Sequence, residues 1–182
     1  MLAAGASRRM GSPKALLDLG GQTLLELWLA RLRPFCARRL VMVGAVVQPI
    51  AERLGADEQL IVNERWAETG PYESLRLGLG ALRGVDRVLV TPVDVPPPGA
   101  EELERLLAVA PPAALSWEGR PGHPVLIGPS EIAHILTQPT PPGGLSSLLT
   151  RATQVPADSA STLMNLNTPE DLARWQDYCS RK

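Results

Sequence analysis

The sequence predicts an α/β fold: one Rossmann-like domain spanning residues 1–182, with a mostly parallel sheet, an antiparallel excursion at one edge and a truncated first strand. Three observations lead there. Short apolar runs alternate with segments of helical period, the pattern of strands joined by helical crossovers. The runs "RRLVMVGAV" and "VDRVLVTPVD" are apolar throughout rather than alternating, as parallel strands covered on both faces are. The stretch "SW-EGRPG-HPVLIG" then breaks the alternation with two strand-like runs around a short turn.

In chain order, "SPKALLDLGGQTLLELWLARLRPF" places Leu24, Leu25, Trp28 and Leu32 at helical spacing, with Gly20-Gly21 as a turn and Thr23 as a cap. "RRLVMVGAV" is a strand, "QPIAERLGA" a short helix closed by Gly55, and "EQLIVNE" a short strand. "YESLRLGLGALRG" is a helix with Leu75, Leu79 and Leu82 on one face and Gly84 as its stop. "VDRVLVTPVD" is a strand running to Asp94, followed by the helix "PGAEELERLLAVA". "AALSW" and "HPVLIG" flank the turn "EGRPG". "PSEIAHILTQ" is a helix capped by Ser130, "GLSSLLTRA" a further short helix, and "TPEDLARWQDYCSRK" a last helix opened by Thr168, Pro169 and Asp171.

Composition narrows the function classes. The chain is 45% hydrophobic and 20% charged, which suits a packed core and argues against global disorder. A formal net charge of −1 argues against a general nucleic-acid binder. No apolar run approaches the ~20 residues that span a bilayer, and no signal-peptide pattern opens the chain. Two cysteines, Cys36 and Cys179, form no CxxC pair, which fits a reducing cytoplasm and offers no zinc site.

Open α/β sheets bind ligands beyond the carboxyl ends of their strands. Three polar stretches fall there: Gly5–Lys14, Asn63–Ser74 and Thr91–Asp94. In "LAAGASRRMGSPK", the small residues Ala3, Ala4 and Gly5 let a ligand approach backbone N–H groups. Arg9 and Lys14 add charge suited to phosphate, and the loop feeds a helix start. It is neither GxxxxGK[ST] nor GxGxxG. On residue types alone it is a phosphate cradle or a solvated basic turn. Asp94, at the end of an apolar strand, is likewise a metal ligand or a cap.

The full string LAAGxSxRMGxxK resembles the signature of the nucleotidyltransferases that attach a nucleotide to molybdopterin, within the wider sugar-nucleotide and cytidylyl transferase superfamily. The resemblance continues through "VNERWAETGPYESLRLGL", "VLVTPVDVP", "GRPGHPVLI" and "NLNTPEDLARW", in order along most of the chain. It implies a nucleotide-diphospho-sugar transferase-like fold and Mg2+-dependent transfer of a nucleotide, with release of pyrophosphate. A triphosphate would be held by Leu2, Ala3, Ala4, Gly5, Gly11 and Lys14, with Arg9 beside it and Asn63 and Ser74 near base or ribose. Asp94 and Asn167 would hold the magnesium ion. Arg9, Lys14 and Asp94 would carry the catalysis, and His123 and Trp66 would contact the acceptor.

The closing motif reads Asn165-Leu166-Asn167 where related cytidylyl enzymes read Asp-x-Asp. The asparagines resemble the guanylyl branch, whereas "LAAG", "SPK", "YESL" and "GHPVLI" resemble the cytidylyl branch. The expectation is therefore CTP as donor and molybdopterin cofactor as acceptor, with a molybdoenzyme as client. The alternatives are GTP as donor, transfer to a sugar or alcohol phosphate, and a non-catalytic cofactor-binding chaperone. Asn167 as a cap of the "TPEDL" helix also stays open. His134 and Arg120 read as surface residues, Trp28 as core, and Ser7 lacks the G-x-S-x-G context of a hydrolytic nucleophile. Relatives carry a strand ahead of their LAAG. Here only Met1–Ala3 stand in its place, implying a severely shortened strand or a start placed late in the reading frame.

Overall fold

The computed structural model describes residues 1–7 and 9–180. Its strands are β1 (Leu2–Ala3), β2 (Arg39–Val43), β3 (Glu58–Val62), β4 (Val88–Val90), β5 (Ala113–Trp117), β6 (Arg120–Ile127) and β7 (Thr153–Pro156). The α-helices are α1 (Leu24–Leu32), α2 (Gln48–Ala51), α3 (Pro71–Ala81), α4 (Ala100–Ala108), α5 (Pro129–Thr137) and α6 (Pro169–Ser180). β1, β2 and β3 pair in parallel, and β4, β6, β5 and β7 form a second ladder.

Leu2 joins the two ladders. Its N–H donates to the Thr91 carbonyl at 2.8 Å, and its carbonyl accepts from Val93 at 2.9 Å. The result is one sheet in the order β3-β2-β1-β4-β6-β5-β7, parallel except for β6. The α/β class and the mostly parallel sheet are as expected. The antiparallel excursion is β6 alone, flanked by β4 and β5 rather than left at the rim, where β7 lies instead. β1 is only two residues long, as its short sequence implies.

Local chemistry accounts for the helix starts. Thr23 caps α1 in a reciprocal pair: its Oγ1 accepts from the Glu26 N–H at 3.2 Å, and Glu26 Oε2 accepts from the Thr23 N–H at 2.7 Å. The Gly20-Gly21 turn is tied by a 2.7 Å bond from Gly21 N–H to Asp18 Oδ1. Ser130 does not cap α5. Pro129 takes the first helical position, so Gly128 is the cap, and Glu131 reaches back to its N–H at 3.1 Å.

Several segments are shorter than their patterns suggested. α2 ends at Ala51, before Gly55. "GLSSLLTRA" forms a 3-10 turn over Gly144–Leu148. β4 ends at Val90 rather than Asp94, because Pro92 has no N–H with which to extend the ladder and the chain turns after it. The turn between β5 and β6 is the two residues Glu118 and Gly119, with φ of 48° and 75°. Both are left-handed, the geometry that matches strand twist in tight hairpins. Arg120, Pro121 and Gly122 therefore belong to β6.

Two apolar layers clasp the sheet. On one side Trp28, Leu24 and Leu25 of α1 pack with Val41, Val43, Leu103 and Leu166. On the other, Tyr72, Leu75 and Leu79 of α3 and Ile135 of α5 pack with Met42, Val90, Val125 and Ile127. Trp28 is fully buried, and His134 and Arg120 are exposed, as expected. Cys36 is a free thiol. The side chain of Cys179, and the end of the last predicted helix at Arg181 and Lys182, lie outside the described residues.

Candidate functional site

A cleft of about 370 Å³ opens at the carboxyl ends of β1 and β2. Residues 2–5 with Ser7, Pro13 and Lys14 form one wall, and Trp66, Thr69, Gly70, Pro71 and Ser74 form another. Pro92–Asp94 and Asn165 close its remaining side.

The loop after β1 is held by its own residues. Ser7 sits at φ 52°, its Oγ accepts the Lys14 N–H at 3.0 Å, and its carbonyl accepts the Met10 N–H at 3.0 Å. Ser7 is thus a brace for the loop. The loop leads into a 3-10 turn, Lys14–Leu16, and not into an α-helix. The helix-dipole contribution expected for it is therefore missing, and the attraction for an anion rests on side-chain charge.

That charge is focused. Lys14 Nζ lies 2.6 Å from Asp94 Oδ2 and 2.6 Å from Asn167 Oδ1. Arg9 reaches the same Asn167 oxygen at 3.4 Å. Three segments remote in sequence thereby meet at one point: the loop after β1, the turn after β4 and the entry to α6. Gly5 is exposed at the cleft, and Gly11 takes φ 73° in the same loop.

The scaffold behind the point is rigid. Trp28 donates its indole N–H to the Val95 carbonyl at 2.7 Å within the core. Leu166 is fully buried, and its N–H donates to the Asp94 carbonyl at 2.8 Å. Asn165 and Asn167 flank that anchor. Asn167 does not cap α6 with its side chain. Thr168 and Asp171 do so reciprocally, through Asp171 N–H to Thr168 Oγ1 at 3.3 Å and Thr168 N–H to Asp171 Oδ2 at 3.0 Å. The Asn167 amide oxygen is left to face Lys14 and Arg9.

Asn63 lies at the base of the second wall, 2% exposed. Its Nδ2 donates to Thr69 Oγ1 and to Ser74 Oγ, each at 3.0 Å, and its Oδ1 accepts the Arg65 N–H at 3.0 Å. The amide is spent inside the chain, holding the Gly70 turn against the start of α3. Ser74 reaches the cleft lining, whereas Asn63 stands behind it. Trp66 is half-buried, lines the cleft and packs close to Gly44, where an added Cβ would sit 2.5 Å from Trp66 Cβ and 2.7 Å from the Ala4 carbonyl oxygen.

His123 lies on β6 beside Val90, close enough to feel Asp94. Burial lowers its pKa to about 4, against the pull of the Asp94 carboxylate, so the ring is neutral at pH 7. Its Nδ1 is buried without a hydrogen-bond partner. The backbone there is fixed by Thr162 Oγ1, which donates to the His123 carbonyl at 2.6 Å.

Sequence reasoning missed Val46 and Leu145 as lining residues. Leu145 comes from a 3-10 turn remote in sequence, so no local pattern marks it. Among the described residues no group of three or more His, Cys, Asp or Glu side chains is placed to hold a metal. Magnesium needs no such group, since it binds through one or two protein oxygens plus phosphate oxygens and water. Asp94 and Asn167 already share a cation, the Lys14 ammonium, so the two oxygens fit a small cation between them.

Over residues 1–156 the chain matches the family model described as MobA-like NTP transferase domain. It is 32% identical over 189 residues to a molybdenum cofactor guanylyltransferase of Rhodobacter capsulatus, covering 97% of this chain and 93% of that one. A protein of the same description from Sinorhizobium fredii is 28% identical over 201 residues, covering 100% of this chain and 91% of its own. The crystal structure of Rv0371c from Mycobacterium tuberculosis shares the fold, with a TM-score of 0.82 at 20% identity over 97% of this chain and 95% of that one.

Proposed function

Because the chain belongs to the MobA-like NTP transferase family, we propose that it transfers a nucleotide from GTP to the molybdenum cofactor. The observation that carries this reading is the meeting of Lys14 and Asp94, both lining the cleft, with the Asn167 amide oxygen. In the reaction, a phosphate oxygen of the acceptor bonds to the α-phosphorus of the nucleotide. The bond from that phosphorus to the oxygen bridging to the β-phosphate breaks, and pyrophosphate leaves.

Both reactants are anionic, so the protein's work is to position them and neutralise charge. Lys14 and Arg9 would hold the triphosphate, with the backbone of Leu2–Gly5 and Gly11 close against it. Asp94 and Asn167 would hold magnesium, which supplies charge neutralisation at phosphate oxygens. Ser74 would face base or ribose, with Asn63 positioning the turn that carries it. The Trp66 indole would meet the acceptor at the cleft wall, whereas the neutral His123, expected there from the sequence, does not line the cleft and its Nδ1 is buried, so it would act from behind the Asp94 turn. No general base is required, because the acceptor phosphate is already an oxygen nucleophile.

The donor is GTP rather than the CTP expected from the opening loop. The support is twofold: Asn165 and Asn167 follow the guanylyl pattern, and the Rhodobacter and Sinorhizobium relatives are named guanylyltransferases. CTP is kept as the second reading on the strength of "LAAG", "SPK" and "YESL". A reducing cytoplasmic setting and a molybdoenzyme receiving the product accompany the reading.

Pyrophosphate release with each of the four nucleoside triphosphates, in the presence of cofactor, tests it. Release with GTP alone is the expected result. Release with CTP alone transfers the donor assignment to the second reading, and no release with retained cofactor binding leaves a carrier rather than an enzyme.

A further inference from the structure

The Lys14 ammonium touches both oxygens assigned above to magnesium, at 2.6 Å each. We propose that Lys14 is a latch: it closes the metal site in the free protein, and a triphosphate opens the site by drawing the ammonium away. The inference rests on the reading of Asp94 and Asn167 as the metal-holding pair, and is independent of which base or acceptor is used.

The geometry supports exclusion. An ammonium in contact with both oxygens leaves no room for a second cation to bridge them, and two cations at that separation repel strongly. The pair is shielded, with the Lys14 side chain 17% and the Asp94 side chain 19% exposed, so water screens it only in part. A divalent ion arriving alone would gain one carboxylate and one amide oxygen, and would have to displace a well-placed charge to do so.

A triphosphate alters that balance. It offers Lys14 several anionic oxygens in exchange for one, and it brings further ligands for the metal. The lysine can make the exchange without disturbing the loop. Its backbone N–H is fixed to Ser7 Oγ at 3.0 Å, so only the flexible four-carbon stem needs to swing. Arg9, already 3.4 Å from the Asn167 oxygen, stands on the solvent side to meet the same phosphates. By linkage, nucleotide and metal would then each tighten the binding of the other.

Lysine occurs only at positions 14 and 182, which makes the latch directly observable. In the full chain labelled with ε-13C-lysine, millimolar Mg2+ alone should leave the Lys14 resonance in place, and GTP or CTP without metal should move it. Movement by Mg2+ alone, or no movement with either GTP or CTP, overturns the latch. A second arm needs no nucleotide. By electron paramagnetic resonance of free Mn2+, Lys14→Gln should bind Mn2+ at least about tenfold more tightly than the wild type, a typical coupling between linked sites. The gain should vanish in Lys14→Gln/Asp94→Asn. Equal binding by wild type and Lys14→Gln, or a gain that survives loss of Asp94, also overturns it. Thermal melting of each variant confirms that folded protein is compared. Neither arm involves transfer, so failure of the proposed reaction would appear in the pyrophosphate assay and not here.

Discussion

The Leu166 amide donates a 2.8 Å hydrogen bond to the Asp94 carbonyl, tying the turn after β4 to the entry of α6. Leu166 is fully buried, so the bond is anchored in the core rather than at the surface. This link sets the distance between the Asp94 carboxylate and the Asn167 amide, the two oxygens that Lys14 bridges.

The backbone bond does not involve the Asp94 side chain, so the turn should survive its removal. Asp94→Ala is expected to lower nucleotidyl transfer at least about a hundredfold, the scale of losing one charge-stabilising contact. The cost in stability should be about 1 kcal/mol or less, because the Lys14 pair is partly solvated. Steady-state pyrophosphate release and chemical denaturation measure the two effects. Full turnover in the variant would remove Asp94 from the reaction.

Trp28 supports the same turn from beneath. Its indole N–H is the partner of the Val95 carbonyl at 2.7 Å, in the buried interior. Trp28→Phe keeps an aromatic ring but leaves that carbonyl unpaired, at a cost of about 2 kcal/mol. Because the turn carries Asp94, kcat should fall while nucleotide KM changes little. Urea unfolding together with kcat and KM checks this. An unchanged midpoint would mean that the carbonyl finds another partner.

How much of this was legible in the sequence depends on how local each signal is. The buried parallel strands declared themselves as apolar runs, and Asp94 stood out as the carboxylate that follows one of them. Thr23 and Thr168 were readable as caps because capping depends on residues three positions apart. β7 escaped because "TQVP" is short, mostly exposed and ends in proline, so it carries no strand pattern. The Gly128 cap of α5 was available from Pro129, since proline favours the first helical position, but Ser130 masked it. The joint hold of Lys14 on Asp94 and Asn167 depends on the sheet order and the entry to α6, and no spacing rule encodes it. Asn63 looked like a ligand contact from its place after a strand, yet its hydrogen-bonding capacity is used within the loop.

Gly44 is a place where a single methyl group should disturb the cleft. An added Cβ would fall 2.5 Å from Trp66 Cβ and 2.7 Å from the Ala4 carbonyl oxygen, neither the far end of a flexible side chain. Gly44→Ala should therefore displace the Trp66 wall, raise the acceptor KM several-fold and destabilise by about 1–3 kcal/mol. Gly80, in the exposed face of α3 with open space around it, is the matched control. Gly80→Ala should stabilise by about 0.5–1 kcal/mol and leave KM alone. If the two substitutions behave alike, the close approach of Trp66 to Gly44 is not limiting.

His123 should make the protein acid-sensitive. Burial holds its folded-state pKa at about 4, below the ordinary histidine value of 6.5, with the nearby Asp94 carboxylate opposing the shift. Between these values the unfolded chain binds the extra proton and the folded chain does not, so stability rises with pH and is lost as pH falls. The loss begins near pH 6.5 and is expected to reach about 3 kcal/mol by pH 4. Thermal or urea unfolding of the wild type and of His123→Asn, at intervals from pH 7.5 to pH 4, isolates this contribution. The carboxylates lowered by their own partners, such as Glu58 and Glu131, titrate in both proteins and cancel in the difference. The wild type should lose stability more steeply than the variant within that window. Parallel curves would show that His123 takes up its proton in the folded protein as readily as in the unfolded one.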